Sequence, residues 1–443
     1  MPEKNGERSG EPDRPEGMPE RSHRFIHETI IRQPLTKRQA ARRVLLAGAC
    51  GAIFGVTAAV CFAAAAPLAE RYIGQKPPES DGQITIPKDE PETTQAQPAE
   101  TETAAQESQP VREMVRSEIG RYPYTAGDVD RIYAGLKEVA DGADAGIVSV
   151  HSIQHQVDWF DNPIETTGQY AGILIAKTGQ EALALTSEDA LESADSIEVC
   201  LRDGTVLPGT ARQRDTVAGL AVVSVDLSSL TQEQIDALAV VELGNSYSVK
   251  QGDIVLAVGS PAGIIHSTDY GTVSYVVKNV QMVDGTGRLF YASVSGAEGT
   301  FLINTEGQLI GWVTEEFGGE EGRGMTAVAG ISDYKGILED LSNGVAPPYF
   351  GIRGQEVSEA MAQSGLPAGI YVADSVLDGP AYNAGIQNGD IITALDGEPV
   401  MNMKDFQSRV ENMSAGQTVA VTVQRNGKDA YTQIEFAVTA GAR

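Results

Sequence analysis

The order of apolar and polar residues divides the chain into regions of different character. Residues 1–43 are polar and lack a sustained apolar periodicity, which predicts a disordered tail. Val44–Ala69 contains no charged residue; as a helix it would be about 39 Å long, which exceeds the roughly 30 Å hydrocarbon core of a bilayer. Residues 70–125 are acidic and rich in Pro, Gln and Thr. The pattern therefore predicts a tail, a single transmembrane helix and an acidic low-complexity stalk.

The rest of the chain has the pattern of folded domains. Gly127–Ala140 carries apolar residues at helical spacing, with Asp128 placed to start a helix. Residues 126–343 consist mostly of short β-rich runs separated by Gly, Asp and Asn, which is typical of a sandwich or barrel. Residues 347–443 mix strand-like alternation with helical segments and predict a smaller α+β domain. The predicted fold class of the main domain is all-β.

Charged residues on either side of the apolar span predict its orientation. Lys and Arg are concentrated in the stretch 37–43 before the span, and an acidic segment follows it. The positive-inside bias then places the N-terminus in the cytoplasm and the bulk of the protein outside the cell membrane. The rival interpretation is a cleaved signal peptide, because Ala63–Ala66 offers small residues to a peptidase.

Composition restricts the chemistry. The chain has 443 residues, 41% of them apolar and 21% charged, which is ordinary for globular domains. Its net charge of −28 disfavours nucleic acid as a partner, because phosphate binding needs clustered Lys and Arg. Cys50 and Cys61 lie in the apolar span and only Cys200 lies elsewhere, so neither a disulfide framework nor a zinc site is predicted. We expect no cofactor and no metal.

Three segments of residues 126–343 carry a family resemblance. The text reads LTSEDA from Leu185, AGLAV from Ala218 and GAEGTF from Gly296, the last followed by Leu-Ile-Asn, a turn and Leu-Ile-Gly. These segments resemble LTNxHV, TDLAV and GNSGGP, in this order, of the HtrA/Deg family of trypsin-fold serine proteases. The resemblance covers about 200 residues and implies a trypsin-like double β-barrel.

The resemblance also shows where the chain departs from the family. It places Asp189 at the position of the base histidine, Gly219 at that of the orienting aspartate, and Glu298 at that of the serine nucleophile. A trypsin-like site needs a hydroxyl, an imidazole and a carboxylate, and a carboxylate is a poor nucleophile toward an amide. The sequence therefore predicts a pseudoprotease that is not an enzyme.

The alternative is an active serine-type or unconventional hydrolase with a rearranged site. Asp189 and Glu298 are expected to face each other across the cleft, where one pKa would be raised or a cation shared. The histidines of the predicted extracytoplasmic part, His151, His155 and His266, are interpreted as strand or surface residues. We interpret Cys200 as a small strand residue.

The C-terminal region resembles a PDZ domain. Gly379–Val400 reads GPAYNAGIQNGDIITALDGEPV, which is similar to the PDZ pattern SPAxxAGLxxGDxIxxIxGxxV. Upstream, Tyr349, Phe350, Gly351 and Ile352 match the loop whose backbone N–H groups capture a peptide's C-terminal carboxylate, after which the peptide adds as a strand. Phe406 and Val410, on a predicted helix, are expected to form the other wall of the groove.

Together these features predict a membrane-anchored protein that binds peptide segments or C-termini of extracytoplasmic proteins. It would act as a scaffold, regulator or sensor in envelope protein quality control and the envelope stress response. The resemblance also implies a homotrimer, or a mixed oligomer with an active relative.

Overall fold

The computed structural model describes residues 83–90, 125–157, 163–315, 324–428 and 430–443. The predicted tail, residues 1–43, and the predicted membrane span, Val44–Ala69, lie outside these residues, as does most of the predicted stalk. In the part of the chain that is described, no helix is both long enough and apolar enough to cross a membrane.

Six antiparallel strands close into a first barrel in the order β1-β2-β3-β6-β5-β4. These strands are β1 (Ile147–Val157), β2 (Pro163–Lys177), β3 (Glu181–Ser187), β4 (Ser196–Cys200), β5 (Val206–Asp215) and β6 (Leu220–Asp226). Side chains alternate between the two faces of a strand, and both faces of β3 are buried. Its Ala182 and Ala184 fill the barrel, whereas Leu183 and Leu185 pack in a larger cluster with residues of the following strands.

A second closed barrel follows, in the order β10-β11-β12-β9-β8-β7. These strands are β7 (Ile254–Gly259), β8 (Asp269–Met282), β9 (Gly285–Ala292), β10 (Thr300–Ile303), β11 (Leu309–Val313) and β12 (Thr326–Gly330). Leu256, Phe301 and Ile303 belong to the same cluster as Leu183 and Leu185. The shared apolar cluster holds the two barrels together, so the cleft between them is fixed by core packing.

The third folded part combines a sheet with short helices. Its sheet has the order β14-β15-β16-β18-β19, with β17 paired to β16, and a separate ladder joins β13 to β20. These strands are β13 (Pro348–Tyr349), β14 (Ile352–Glu356), β15 (Ile370–Ser375), β16 (Ile391–Leu395), β17 (Glu398–Pro399), β18 (Thr418–Asn426), β19 (Tyr431–Thr439) and β20 (Gly441–Ala442). The helices of the described chain are α1 (Ala126–Asp144), α2 (Gln232–Ala237), α3 (Lys335–Ser342), α4 (Glu359–Gln363), α5 (Pro380–Ala384) and α6 (Met403–Glu411).

Helix α1 begins close to the position that the sequence indicates. The backbone N–H of Thr125 donates to the Asp128 carboxylate at 2.7 Å, which satisfies a donor at the start of the helix. Only part of the predicted apolar stripe is buried. Leu136 and Val139 pack against the shared cluster, whereas Val129 and Ile132 are 51% and 62% exposed.

Residues 83–90, which the sequence assigns to the stalk, lie against the folded part. The side-chain amide of Asn343 accepts from the N–H of Ile84 at 2.8 Å and donates to its carbonyl at 2.7 Å. Lys335 is 2.9 Å from the Asp89 carboxylate, and Ile86 is buried. The acidic, proline-rich composition of the stalk gives no sign of this contact, which depends on partners more than 240 positions away.

Candidate functional site

The cleft between the barrels contains all three positions of the degenerate triad. Asp189, Gly219 and Glu298 line one cavity of about 320 Å³. Asp189 lies in a 3₁₀ turn directly after β3, and Gly219 lies in the turn between β5 and β6. The carbonyl of Gly219 accepts from the N–H of Glu188 at 3.1 Å, which ties these two turns together. Glu298 reaches the same cavity from the loop between β9 and β10 of the second barrel.

Ser187 lies in the cleft at a position to which the sequence motifs assign no role. Its hydroxyl donates to Oε1 of Glu298 at 2.5 Å and accepts from the backbone N–H of Asp189 at 3.3 Å. Ser187 occupies the position of asparagine in the family motif, so the motif alone gives it no role. Only the approach of the second barrel brings a carboxylate to this hydroxyl. The contact joins two residues 111 positions apart.

The cleft is electrostatically negative. Burial raises the pKa of the Tyr170 phenol, and the carboxylates of Asp189 and Glu298 raise it further. Burial also raises the pKa of Glu188, although Arg214, 3.6 Å away, opposes this. Phenol and carboxyl groups are harder to ionise where negative charge is already present. Neutral or positively charged groups therefore suit this cleft better than acidic ones.

The three histidines of the described residues do not complete a triad. Nδ1 of His266 is 3.1 Å from the Asp144 carboxylate, and His266 and His151 line a second cavity of about 720 Å³ beside Ser187 and Glu298. His155 is exposed, with Glu165 and Asp195 within 4 Å. Between the described residues, no hydrogen bond joins a histidine to a serine hydroxyl.

Metal binding has no visible support in the described ranges. Within them, no group of three or more His, Cys, Asp or Glu side chains is arranged to hold an ion. Asp189 and Glu298 line the same cavity, and the Glu298 carboxylate accepts a hydrogen bond from the Ser187 hydroxyl. Cys200 is partly buried and free of any disulfide.

The predicted carboxylate-binding loop forms a compact cluster of N–H donors. The backbone N–H groups of Phe350, Gly351 and Ile352 converge on one carboxylate, that of Asp284 in the second barrel, at 2.8, 2.8 and 3.0 Å. Gly351 has φ of 87°, in the left-handed region that favours glycine. Successive N–H groups that point to one spot form an anion-binding concavity.

The remaining predicted groove residues separate into two environments. Phe406 is fully buried in the core of the C-terminal domain, where its ring meets that of Phe350 edge to face at 5.3 Å. Val410, one turn further along α6, also packs in this core but lines a cavity of about 120 Å³ next to Asp284. Tyr349 lies in β13, which pairs with β20. Val410 is thus better placed than Phe406 to contact a ligand.

Comparison with known proteins identifies the two domains. A trypsin-like peptidase domain matches residues 171–311, and a PDZ domain matches residues 348–436. The chain is 27% identical over 293 residues to the serine protease Do-like HtrA of Lactobacillus helveticus, covering 62% of this chain and 69% of that protein. It is 31% identical over 292 residues to a probable periplasmic serine endoprotease, DegP-like, of Pseudomonas savastanoi pv. phaseolicola, covering 64% of this chain and 57% of that protein.

A solved structure of the HtrA-type protease AlgW with a decapeptide matches 69% of this chain and 98% of that chain, with 22% identity and a TM-score of 0.49. The chain spans between 57% and 69% of the length of the two curated relatives. The sequence matches show that the chain is similar to HtrA- and DegP-like serine proteases and that it contains a trypsin-like peptidase region followed by a PDZ region. The predicted order, a trypsin-like domain followed by a PDZ domain, is confirmed.

One prediction is corrected by these comparisons. The residues Asp189, Gly219 and Glu298 at the triad positions predict that the chain is not an enzyme. The matching relatives are named serine proteases or endoproteases, which points to an enzyme. That prediction was based on the three family positions alone, and the hydrogen bond between Ser187 and Glu298 joins residues too far apart in the sequence for the motifs to indicate.

Proposed function

We propose that this protein is an HtrA-type hydrolase that binds extracytoplasmic polypeptides through its PDZ domain and cleaves them in the cleft between its barrels. The observation that carries the proposal is the 2.5 Å hydrogen bond from the Ser187 hydroxyl to the Glu298 carboxylate. A hydroxyl held against a base is the minimum arrangement for serine-type acyl transfer.

The chemistry follows from this pair. Glu298 accepts the proton of the Ser187 hydroxyl as Oγ bonds to the carbonyl carbon of the substrate. The same proton passes to the leaving amine as the C–N bond breaks, which leaves an ester on Ser187. Water then attacks this ester and gives one proton to Glu298. The bond between the acyl carbon and Oγ breaks, Glu298 returns the proton to Oγ, and the carboxylic acid product leaves with Ser187 and Glu298 restored. A carboxylate is a weaker base than the imidazole of the family mechanism, so we expect slow turnover.

Anchoring and location form part of the proposal. Val44–Ala69 would hold the protein in the cell membrane, with the basic flank on the cytoplasmic side and the folded domains outside. There the PDZ domain would recruit exposed C-termini in envelope protein quality control. Assembly into a homotrimer is a further expectation, which mass photometry can check by counting subunits at micromolar concentration.

The change of Glu298 to glutamine tests the catalytic role. Glutamine keeps the shape of the side chain and can still accept from Ser187, but it cannot take up a proton. We expect hydrolysis of unfolded casein to fall about 100-fold, the lower end of what a general base contributes. A second readout is covalent labelling of Ser187 by an organophosphorus ester, located by mass spectrometry, which should decrease in parallel.

The matched control is Glu192→Gln, another exposed carboxylate near the cleft whose charge also acts on Tyr170. It removes one negative charge and leaves the Ser187–Glu298 contact intact, so its turnover should stay within about twofold of the unaltered protein. Casein hydrolysis by the unaltered protein that does not exceed the buffer rate would contradict the proposal. Equal turnover of Glu298→Gln and the unaltered protein would also contradict it.

A further inference from the structure

The turn between β8 and β9 carries a carboxylate of this chain into the PDZ loop. Asp284 stands in this turn and is 3% exposed. Its Oδ2 accepts from the N–H of Phe350 at 2.8 Å, and its Oδ1 accepts from Gly351 at 2.8 Å and Ile352 at 3.0 Å. Three of the four residues that the sequence assigns to the carboxylate-binding loop therefore donate their N–H groups to a side chain of the second barrel.

The backbone beside Asp284 pairs with the PDZ sheet as a bound peptide would. The N–H of Asp284 donates to the carbonyl of Ile352 at 2.8 Å, and Val283 forms an antiparallel bridge with Arg353. Strand β14 is the edge strand of the sheet. A peptide that binds by β-augmentation makes the same kind of contact, because it adds an antiparallel strand to such an edge.

The backbone conformation and the burial of Asp284 both cost folding free energy, so its hydrogen bonds must offset this cost. Asp284 has φ of 64°, a conformation that residues other than glycine rarely adopt. Burial raises the pKa of its carboxyl, which Arg443 and the three N–H donors oppose. A buried carboxylate is tolerated only when it is paired and hydrogen-bonded. Here the PDZ loop supplies the hydrogen bonds, so Asp284 and the loop stabilise each other.

The turn does not fill the groove. A cavity of about 120 Å³ remains beside Asp284, lined on the PDZ side by Pro348, Gln407 and Val410. On the hairpin side it is bordered by Val283 and Gly285, and α3 closes a third side. A peptide whose last residue carries a side chain would bring both a carboxylate for the loop and a group for this cavity.

We propose that the PDZ domain is occupied in cis by Asp284, and that a peptide with a free C-terminal carboxylate binds only by displacing the β8–β9 turn. This inference rests on the proposed function of the PDZ domain as a C-terminal peptide site. It adds that peptide binding and the docking of the second barrel on the PDZ domain exclude each other. Displacement would act directly on β9, whose end leads into the loop that carries Glu298.

The test compares the full-length protein with its Asp284→Ala variant. Each is used to select from a library of decapeptides with random C-termini, and the affinity of the best ligand is measured by fluorescence anisotropy as the free acid and as the C-terminal amide. The apparent dissociation constant rises in inverse proportion to the fraction of molecules whose site is free. We expect Asp284→Ala to bind the free acid at least about 10-fold more tightly than the unaltered protein. Asp236→Ala, which removes an exposed acidic side chain of the first barrel, should leave the affinity unchanged.

A second measurement does not depend on a variant. Hydrogen exchange of residues 280–290 in the unaltered protein should become faster when the free-acid peptide is added at saturation, because the turn leaves the groove.

The outcomes separate the two proposals. A preference for the free acid over the amide with equal affinities of Asp284→Ala and the unaltered protein overturns the occupation in cis and leaves the peptide site intact. If hydrogen exchange of the β8–β9 turn does not change at saturating free-acid peptide, the occupation in cis is likewise overturned. The absence of any preference for the free acid in both proteins overturns the carboxylate site itself, and the inference with it.

Discussion

Replacing Phe406 with alanine should lower the free energy of unfolding of the PDZ domain by about 3 to 5 kcal/mol. Phe406 is fully buried, and its ring packs edge to face on Phe350. The change removes the ring from a close-packed core and leaves a cavity, and both effects favour the unfolded state. Because Phe350 belongs to the N–H cluster around Asp284, the loss of support should also loosen this loop.

Hydrogen exchange resolved by mass spectrometry can measure this effect within the full-length protein. Amides of β15, β16 and β18 report on opening of the PDZ domain, while those of β3 and β6 report on the first barrel and should keep their protection. Leu377→Ala is the matched control, because Leu377 is 71% exposed and surface changes of this kind usually cost less than about 0.5 kcal/mol. Equal protection in Phe406→Ala and Leu377→Ala would show that the ring contributes little to this core.

Replacing Arg425 with alanine is expected to cost about 3 to 5 kcal/mol of PDZ stability, the range for breaking a buried ion pair by removing one partner. Nε and Nη2 of Arg425 each donate to Asp390 at 2.7 Å, and Nη2 also donates to the carbonyl of Gly385 at 2.8 Å. Asp390 is 1% exposed. Without the guanidinium, a buried carboxylate loses its charge partner.

Lysine at position 425 should recover only part of this loss, since an ammonium cannot make the two parallel hydrogen bonds of the guanidinium. Arg409→Ala provides the comparison within the same domain. Arg409 pairs with Glu398, whose side chain is 72% exposed, and an exposed pair contributes at most about 1 kcal/mol. The unfolding temperatures of Arg425→Ala, Arg425→Lys and Arg409→Ala rank the stability loss that each change causes. If Arg425→Ala unfolds at the same temperature as Arg409→Ala, the buried pair is not a significant source of stability.

The PDZ domain illustrates how much local sequence can predict. Gly385 ends α5 with φ of 98°, as its place in the motif indicates. In β16, Leu395 lies in the PDZ core as the alternation predicts, but a register shift between Ile392 and Ala394 brings Ile392 rather than Ile391 into the same core cluster. The match between pattern and fold is good here because turns, caps and strand faces depend on residues a few positions apart.

The burial of Phe406 was harder to predict. Helical spacing places Phe406 and Val410 on one face of α6 but does not distinguish a groove wall from the core. Only the position of Phe350 on the opposite side decides that the Phe406 ring lies inside the core. Val410 reaches the edge of the cavity because the hairpin of the second barrel stops short of it.

The sequence by itself determined the two barrels, the PDZ domain and the identities at the three triad positions, because the motifs that specify them are short and contiguous. Tertiary structure decided which hydroxyl meets Glu298 and which carboxylate enters the PDZ loop. Ser187 lies 111 positions from Glu298, and Asp284 lies 66 to 68 positions from the N–H groups it binds. Contacts over such separations depend on how whole domains pack, and no local pattern of residues encodes that packing.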